Sequence, residues 1–140
     1  LGPIDIVLTS AAGVSLPATI QVQAPSPAKI AFRSAFLLSA VGVDLFYGGQ
    51  PGDLVFLIAS PQIGTSDLPG LFTAGIGANF SSLFLLGTRV VPAAGWDQIN
   101  IPFPALATGF QIHFQGLVFE SVSPVLPLVP TNVESKTVLF

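Results

Sequence analysis

Few side chains in this sequence could do chemistry. His113 is its single histidine, and it has no cysteine. A metal site needs several His, Cys, Asp or Glu ligands together, and one imidazole among scattered carboxylates does not supply them. Serines are plentiful, but none stands in a Gly-x-Ser-x-Gly nucleophile elbow. Asp44, Asp53, Asp67 and Asp97 each lie beside Gly, Pro or a strand end. There a carboxylate ordinarily accepts backbone N–H bonds in a turn, and no Asp-x-Asp-x-Asp loop favours calcium. Gly75-Ile76-Gly77-Ala78-Asn79 lacks the third glycine and the following helix of a dinucleotide loop. The chain is therefore read as no enzyme, with no catalytic residue, cofactor or metal ligand. Two other features remain. Asn79-Phe80-Ser81 is a glycosylation sequon on Asn79. Trp96, beside Gly95 and Asp97, is either a sugar platform or a core or interface anchor, because an indole buries a large area.

The elements that must position these residues read as strands. With 14 glycines and 13 prolines spread along 140 residues, a long helix has nowhere to form. Between this punctuation lie short runs rich in Val, Ile, Phe and Thr, the pattern of an all-β sandwich or barrel. The expected strands are 4–9, 18–23, 29–38, 43–47, 53–59, 71–74, 82–86, 89–91, 98–101, 110–120 and 136–140. In the strand 110–120, Ile112 and Phe114 point one way while Gln111, His113 and Gln115 point the other. His113 is accordingly expected on a polar strand face, exposed or hydrogen-bonded at an interface, and Gly116 is expected to mark a bulge. The run Asp53–Ala59 is apolar on both faces, so it reads as a central strand or as one whose outer face meets a partner.

Composition narrows the function. Apolar residues make up 51% of the chain and charged residues 8%, against about 25% charged in an ordinary soluble domain. That leaves about one charge per 600 Å² of expected surface, three times sparser than usual. Such a surface calls for a cover, most simply copies of the same chain. Four basic residues cannot build a nucleic-acid footprint. The longest apolar stretch, Ser34–Val43, is half of what a membrane-spanning helix requires. A transmembrane barrel conflicts with the prolines and with the lack of aromatic girdles. A chain that starts at Leu1 without Met reads as one whose signal peptide has been removed.

Pro17, Pro25 and Pro27 divide the chain into an extended N-terminal arm, residues 1–27, and a body, residues 28–140. The arm strand presents Ile4, Ile6 and Leu8 and could add to a neighbour's sheet edge. Twelve phenylalanines are the loudest feature of the body. Alternation does not place all of them inside one layer, and the sparse charge favours interface positions for Phe36, Phe46, Phe56, Phe84, Phe114 and Phe119, with Trp96. The expectation is a single antiparallel β-sandwich, jelly-roll or Ig-like, with an extended arm.

Several elements carry a resemblance: Gln50-Pro51-Gly52-Asp53 before an apolar strand closed by Ser60, then Gly95, Ile99–Leu106, Gly109–Gln115 and Thr131-Asn132. Over about 90 residues the body resembles the small C-terminal β-sandwich domain of secreted proteins of Planctomycetes and myxobacteria. The resemblance implies an extracellular, disulfide-free sandwich with no established catalytic residues. The phenylalanine content and scarcity of charge depart from that family. The expected function is a secreted subunit that assembles with itself into a filament, sheath or surface layer. The alternatives are a carbohydrate- or ligand-binding module using Trp96 with the Gln111, His113 and Gln115 face, and a viral jelly-roll shell protein.

Overall fold

The computed structural model describes residues 3–6, 9–10, 13–14, 18–21, 28–32, 42–102 and 105–139, the first four stretches as backbone alone. The strands are β1 (Pro3–Ile6), β2 (Thr9–Ser10), β3 (Gly13–Val14), β4 (Ala18–Gln21), β5 (Lys29–Phe32), β6 (Val43–Gly48), β7 (Leu54–Ser60), β8 (Ile63–Leu68), β9 (Phe72–Ile76), β10 (Phe84–Val90), β11 (Trp96–Ile101), β12 (Gln111–Phe119) and β13 (Val129–Thr137). In the arm, β1 pairs antiparallel with β4, Ile4 opposite Ile20 and Ile6 opposite Ala18, and β2 pairs with β3. Leu8 and Phe36, both named above, lie outside the described residues.

Seven body strands form two antiparallel sheets, ordered β10-β7-β12-β13 and β11-β6-β5. Counted along the body without the β8–β9 hairpin, the first, second and fifth strands face the third, fourth, sixth and seventh. That is the seven-strand Ig-like arrangement, with the fourth strand beside the third instead of the fifth. Alternation fills the space between the sheets. Val55, Leu57, Ala59, Ile112, Phe114 and Val118 from one sheet meet Ile30, Val43, Leu45, Tyr47 and Ile101 from the other. Phe114 is fully buried and stacks at 4.7 Å from the Phe32 ring. It is a core residue, which corrects its expected interface role: even-numbered positions of β12 face the opposite sheet.

The β8–β9 hairpin was not expected as a pair, because β8 (Ile-Gly-Thr-Ser-Asp-Leu) looks like loop. Its turn is legible, however. Pro69-Gly70 occupies the centre of a type II turn, with Gly70 at φ +77° and the Leu71 N–H bonded to the Leu68 carbonyl. The hairpin folds over the outer face of the four-stranded sheet and packs Phe72, Ala74 and Ile76 on Ile58 and Leu117. It also changes the fate of the face that alternation marked as polar. Gln115 is buried, accepts from the Gly75 N–H at 2.8 Å and donates to the Thr131 carbonyl at 2.8 Å. His113 is buried too, sharing a 2.7 Å hydrogen bond between its Nδ1 and Ser135 Oγ. Only Gln111 of the three is exposed.

One side of the sandwich is closed by a side chain. Opposite Gly116, two residues of β13, Thr131 and Asn132, stand where one would normally pair. The irregularity falls where expected, but the extra residue belongs to β13. Gly116 is required there because a Cβ would sit 2.9 Å from Thr131 Cγ2, while its N–H donates to Thr131 Oγ1 at 2.8 Å. The bulge aims Asn132 at β5. The Ile30 N–H donates to Asn132 Oδ1 at 2.9 Å, and Asn132 Nδ2 donates to the Ile30 carbonyl at 3.0 Å. One carboxamide thus stands in for a neighbouring peptide group and links the two sheets.

Candidate functional site

β7, and β12 beyond Gly116, are apolar on both faces, and this creates the site. While Val55 and Leu57 turn inward, Leu54, Phe56 and Ile58 turn outward; Leu117 and Phe119 lie opposite Phe56 and Leu54 on β12. The hairpin covers Ile58 but leaves the rows nearer Leu54 open. The result is an apolar groove of about 530 Å³, floored by Phe56 and Leu117 and walled by Phe72, Phe80 and Leu126. Every lining side chain is Leu, Ile or Phe. A second hollow of about 350 Å³ opens at the end of the inner layer, between Phe84, Leu86, Phe110 and Ile112. No charged residue lines either space.

β10 separates the two hollows. Leu85 borders the groove, while Phe84 and Leu86 border the inner hollow. β10 is an edge of its sheet, and among the described residues its only backbone ladder is with β7. It carries a bulge between Leu85 and Gly87, and Arg89 Nη1 donates to the Thr88 carbonyl at 2.8 Å. Phe84 is 59% exposed and Leu85 63%. Long apolar edges of this kind are templates for strand pairing, and bulges and cations are the usual guards. Here both guards are present but short, beside a Phe-Leu-Leu run.

The other expected residues fall in separate places. Phe56 and Phe119 are half-buried in the groove, and Phe84 is exposed beside it. Phe46 and Trp96 meet on the three-stranded sheet with ring centroids 6.0 Å apart, next to a shallow hollow of about 210 Å³ that Lys29 also borders. Trp96 therefore stands on a different sheet from Gln111, and the polar face once grouped with it is mostly buried. Asn79 is exposed; it precedes the 3-10 turn Phe80–Ser82 and accepts from Ser81 Oγ at 2.6 Å. Sequence reasoning missed Leu85, Val90 and Leu126. Leu126 sits in a Ser/Pro-rich stretch that reads as plain loop, and Leu85 follows the larger apolar side chain of Phe84.

The polar groups serve the fold. Asp53, buried, accepts from the Gln50 N–H at 2.9 Å, the Ser121 N–H at 2.8 Å and Ser121 Oγ at 3.0 Å. It fastens the turn before β7 to the segment after β12. Asp67 accepts from Thr73 Oγ1, and Asp44 from Asn100 Nδ2. Burial and then the carboxylate of Asp97, which lies 3.4 Å from the phenol oxygen, push the Tyr47 hydroxyl above its ordinary value, with Arg89 opposing. Among the described residues no three His, Asp or Glu side chains gather as a metal site would need. No described helix is long and apolar enough to cross a membrane.

Neither a protein-family model nor a curated protein matches the chain, so the functional reading rests on this geometry.

Proposed function

We propose that this chain is a structural subunit that assembles with copies of itself through apolar faces of its sandwich, as part of an extracellular filament, sheath or surface layer. The observation that carries the reading is the groove on the outer face of the four-stranded sheet, about 530 Å³ and lined wholly by Leu, Ile and Phe. A pocket for a small polar ligand holds a few convergent polar groups, and this one has none. Such a face resembles half of an obligate interface, which is apolar and packed like a core. The sparse charge of the chain favours the same reading. Strand addition by the arm belongs to it as well: among the described residues β1 pairs with β4 alone, along one of its edges.

Negative-stain microscopy and light scattering on the purified chain test the proposal. Regular fibres or sheets are expected. A stable 14.4 kDa monomer at all concentrations would overturn it. In that event a carbohydrate-binding role at Trp96 and Phe46 takes its place, on the strength of the exposed indole beside a hollow.

A further inference from the structure

We propose that β10 is the pairing edge of this assembly: β10 of a second copy adds to it antiparallel, turning two four-stranded sheets into one of eight strands. The inference rests on the self-assembly reading and names the seam.

The two edges of the sheet differ in what they can accept. β13 offers Pro130, which has no N–H, and Asn132, whose amide is committed to Ile30. It also carries the ion pair Lys136–Glu134 at 3.2 Å. Pairing β10 with β10 avoids the missing N–H of Pro130 and the β5 strand that the Asn132 carboxamide holds against this edge. Strand addition takes affinity from main-chain bonds and specificity from pockets on alternate faces. β10 is flanked by an apolar hollow on each face.

The bulge selects the register. Leu83 and Leu85 border the outer groove, and Thr88 and Val90 pair with the outward Phe56 and Leu54. Phe84 and Leu86 border the inner hollow, Gly87 lies toward Ile99, and Arg89 pairs with the inward Val55. Across a two-fold axis, opposed side chains must share a face. With one extra residue at the bulge, pairing Leu86 with the partner's Gly87 satisfies this along the whole strand. Leu85 then meets the partner's Thr88, Leu83 meets the partner's Val90, and Arg89 meets the partner's Phe84. Each Arg89 is removed from its symmetry mate and lies against an aromatic ring, exchanging its bond to the Thr88 carbonyl for a cation–π contact. Phe80, Phe84, Leu85, Val90 and Phe110 are 40–63% exposed around the strand. At roughly 100 Å² each they give about 500 Å², to which the main-chain edge adds, toward the ~800 Å² that one partner gives a standard interface.

The test uses the absence of native cysteine. Full-length Leu85→Cys and Thr88→Cys variants, both at exposed positions, are oxidised separately and as an equimolar mixture and run on non-reducing gels. Directly opposed Cα atoms lie about 4.5–5.5 Å apart, within disulfide range. The expected result is a cross-linked dimer several times more abundant in the mixture than in either variant alone. Equal cross-linking in the separate samples would overturn the register and the proposal with it. Leu85→Lys supplies the second arm, with circular dichroism as the check on folding. Polymers that persist in folded Leu85→Lys protein, with no cross-link in the mixture, would sink the β10 seam while leaving self-assembly standing. A mixture-specific dimer that never grows into polymers supports the seam and sinks the filament. A monomer that instead takes up a fluorescent fatty acid would assign the hollows to a lipid and overturn both.

Discussion

The two sides of the sandwich solve the same problem in opposite ways. On the β5/β13 side, the backbone of one sheet is satisfied by a side chain of the other, Asn132 on Ile30, and the Lys136 ammonium lies 5.3 Å from the centre of the Phe32 ring. On the β10/β11 side, the strands stand near each other only at points such as Gly87 and Ile99, and β10 keeps a free edge among the described residues. The difference teaches where this fold places stability and where it leaves surface. Polar groups with fixed partners close one side; exposed apolar groups such as Phe84 and Leu85 line the other.

Substitutions can break the comparison, beginning with the closed side. Phe114→Ala removes a fully buried ring packed on Phe32 and should cost about 3–5 kcal/mol, read from urea unfolding. Asn132→Ala strands both the N–H and the C=O of buried Ile30. At about 1–3 kcal/mol for each orphaned group, a loss of about 3 kcal/mol is expected, with β5 amides showing the largest gain in hydrogen exchange. Asp53→Ala, which frees Gln50 and Ser121, should cost about 2 kcal/mol by the same measurement. On the open side, Leu85→Ser should change monomer stability by less than about 0.5 kcal/mol while lowering the assembled mass in light scattering. Equal costs on the two sides would dissolve the contrast.

The smallest effect is in pH. Tyr47 keeps its proton longer in the folded than in the unfolded chain. Its contribution to stability is therefore complete below about pH 10 and is lost as pH rises from there through the folded value. Tyr47→Phe should flatten that alkaline decline. Because the chain has a single tyrosine, its ultraviolet titration reports this group alone, and a midpoint at the ordinary phenol value would contradict the burial argument.

Much of the body was legible in the residues. Alternation placed Ile112 and Phe114 on one face, and of the two readings of the doubly apolar run Asp53–Ala59 the central strand is the one found, as β7 between β10 and β12. Turn chemistry placed Asp53 correctly, and Gln50–Asp53 and Thr131-Asn132 prove to be residues that tie turns and sheets together. Two expected strands, 82–86 and 89–91, are one, because Gly87 sits in a bulge instead of a break. The end strand was expected at 136–140 but spans 129–137, since its Pro, Asn and Glu mask a strand that earns its place through partners.

What the sequence determined by itself is local: the strand period, the turns, the shortage of charge and of catalytic groups. What only the tertiary structure decided is which face each strand shows to which neighbour. Gln115 looks polar and outward until the β8–β9 hairpin lies over it, and His113 until it is buried with its Nδ1 on Ser135 of β13. Phe114 and Phe119 look alike until parity sends one to the core and the other to a groove. Burial depends on residues far apart in the chain, and a pattern of period two can mark opposite faces without saying which of them another element will cover.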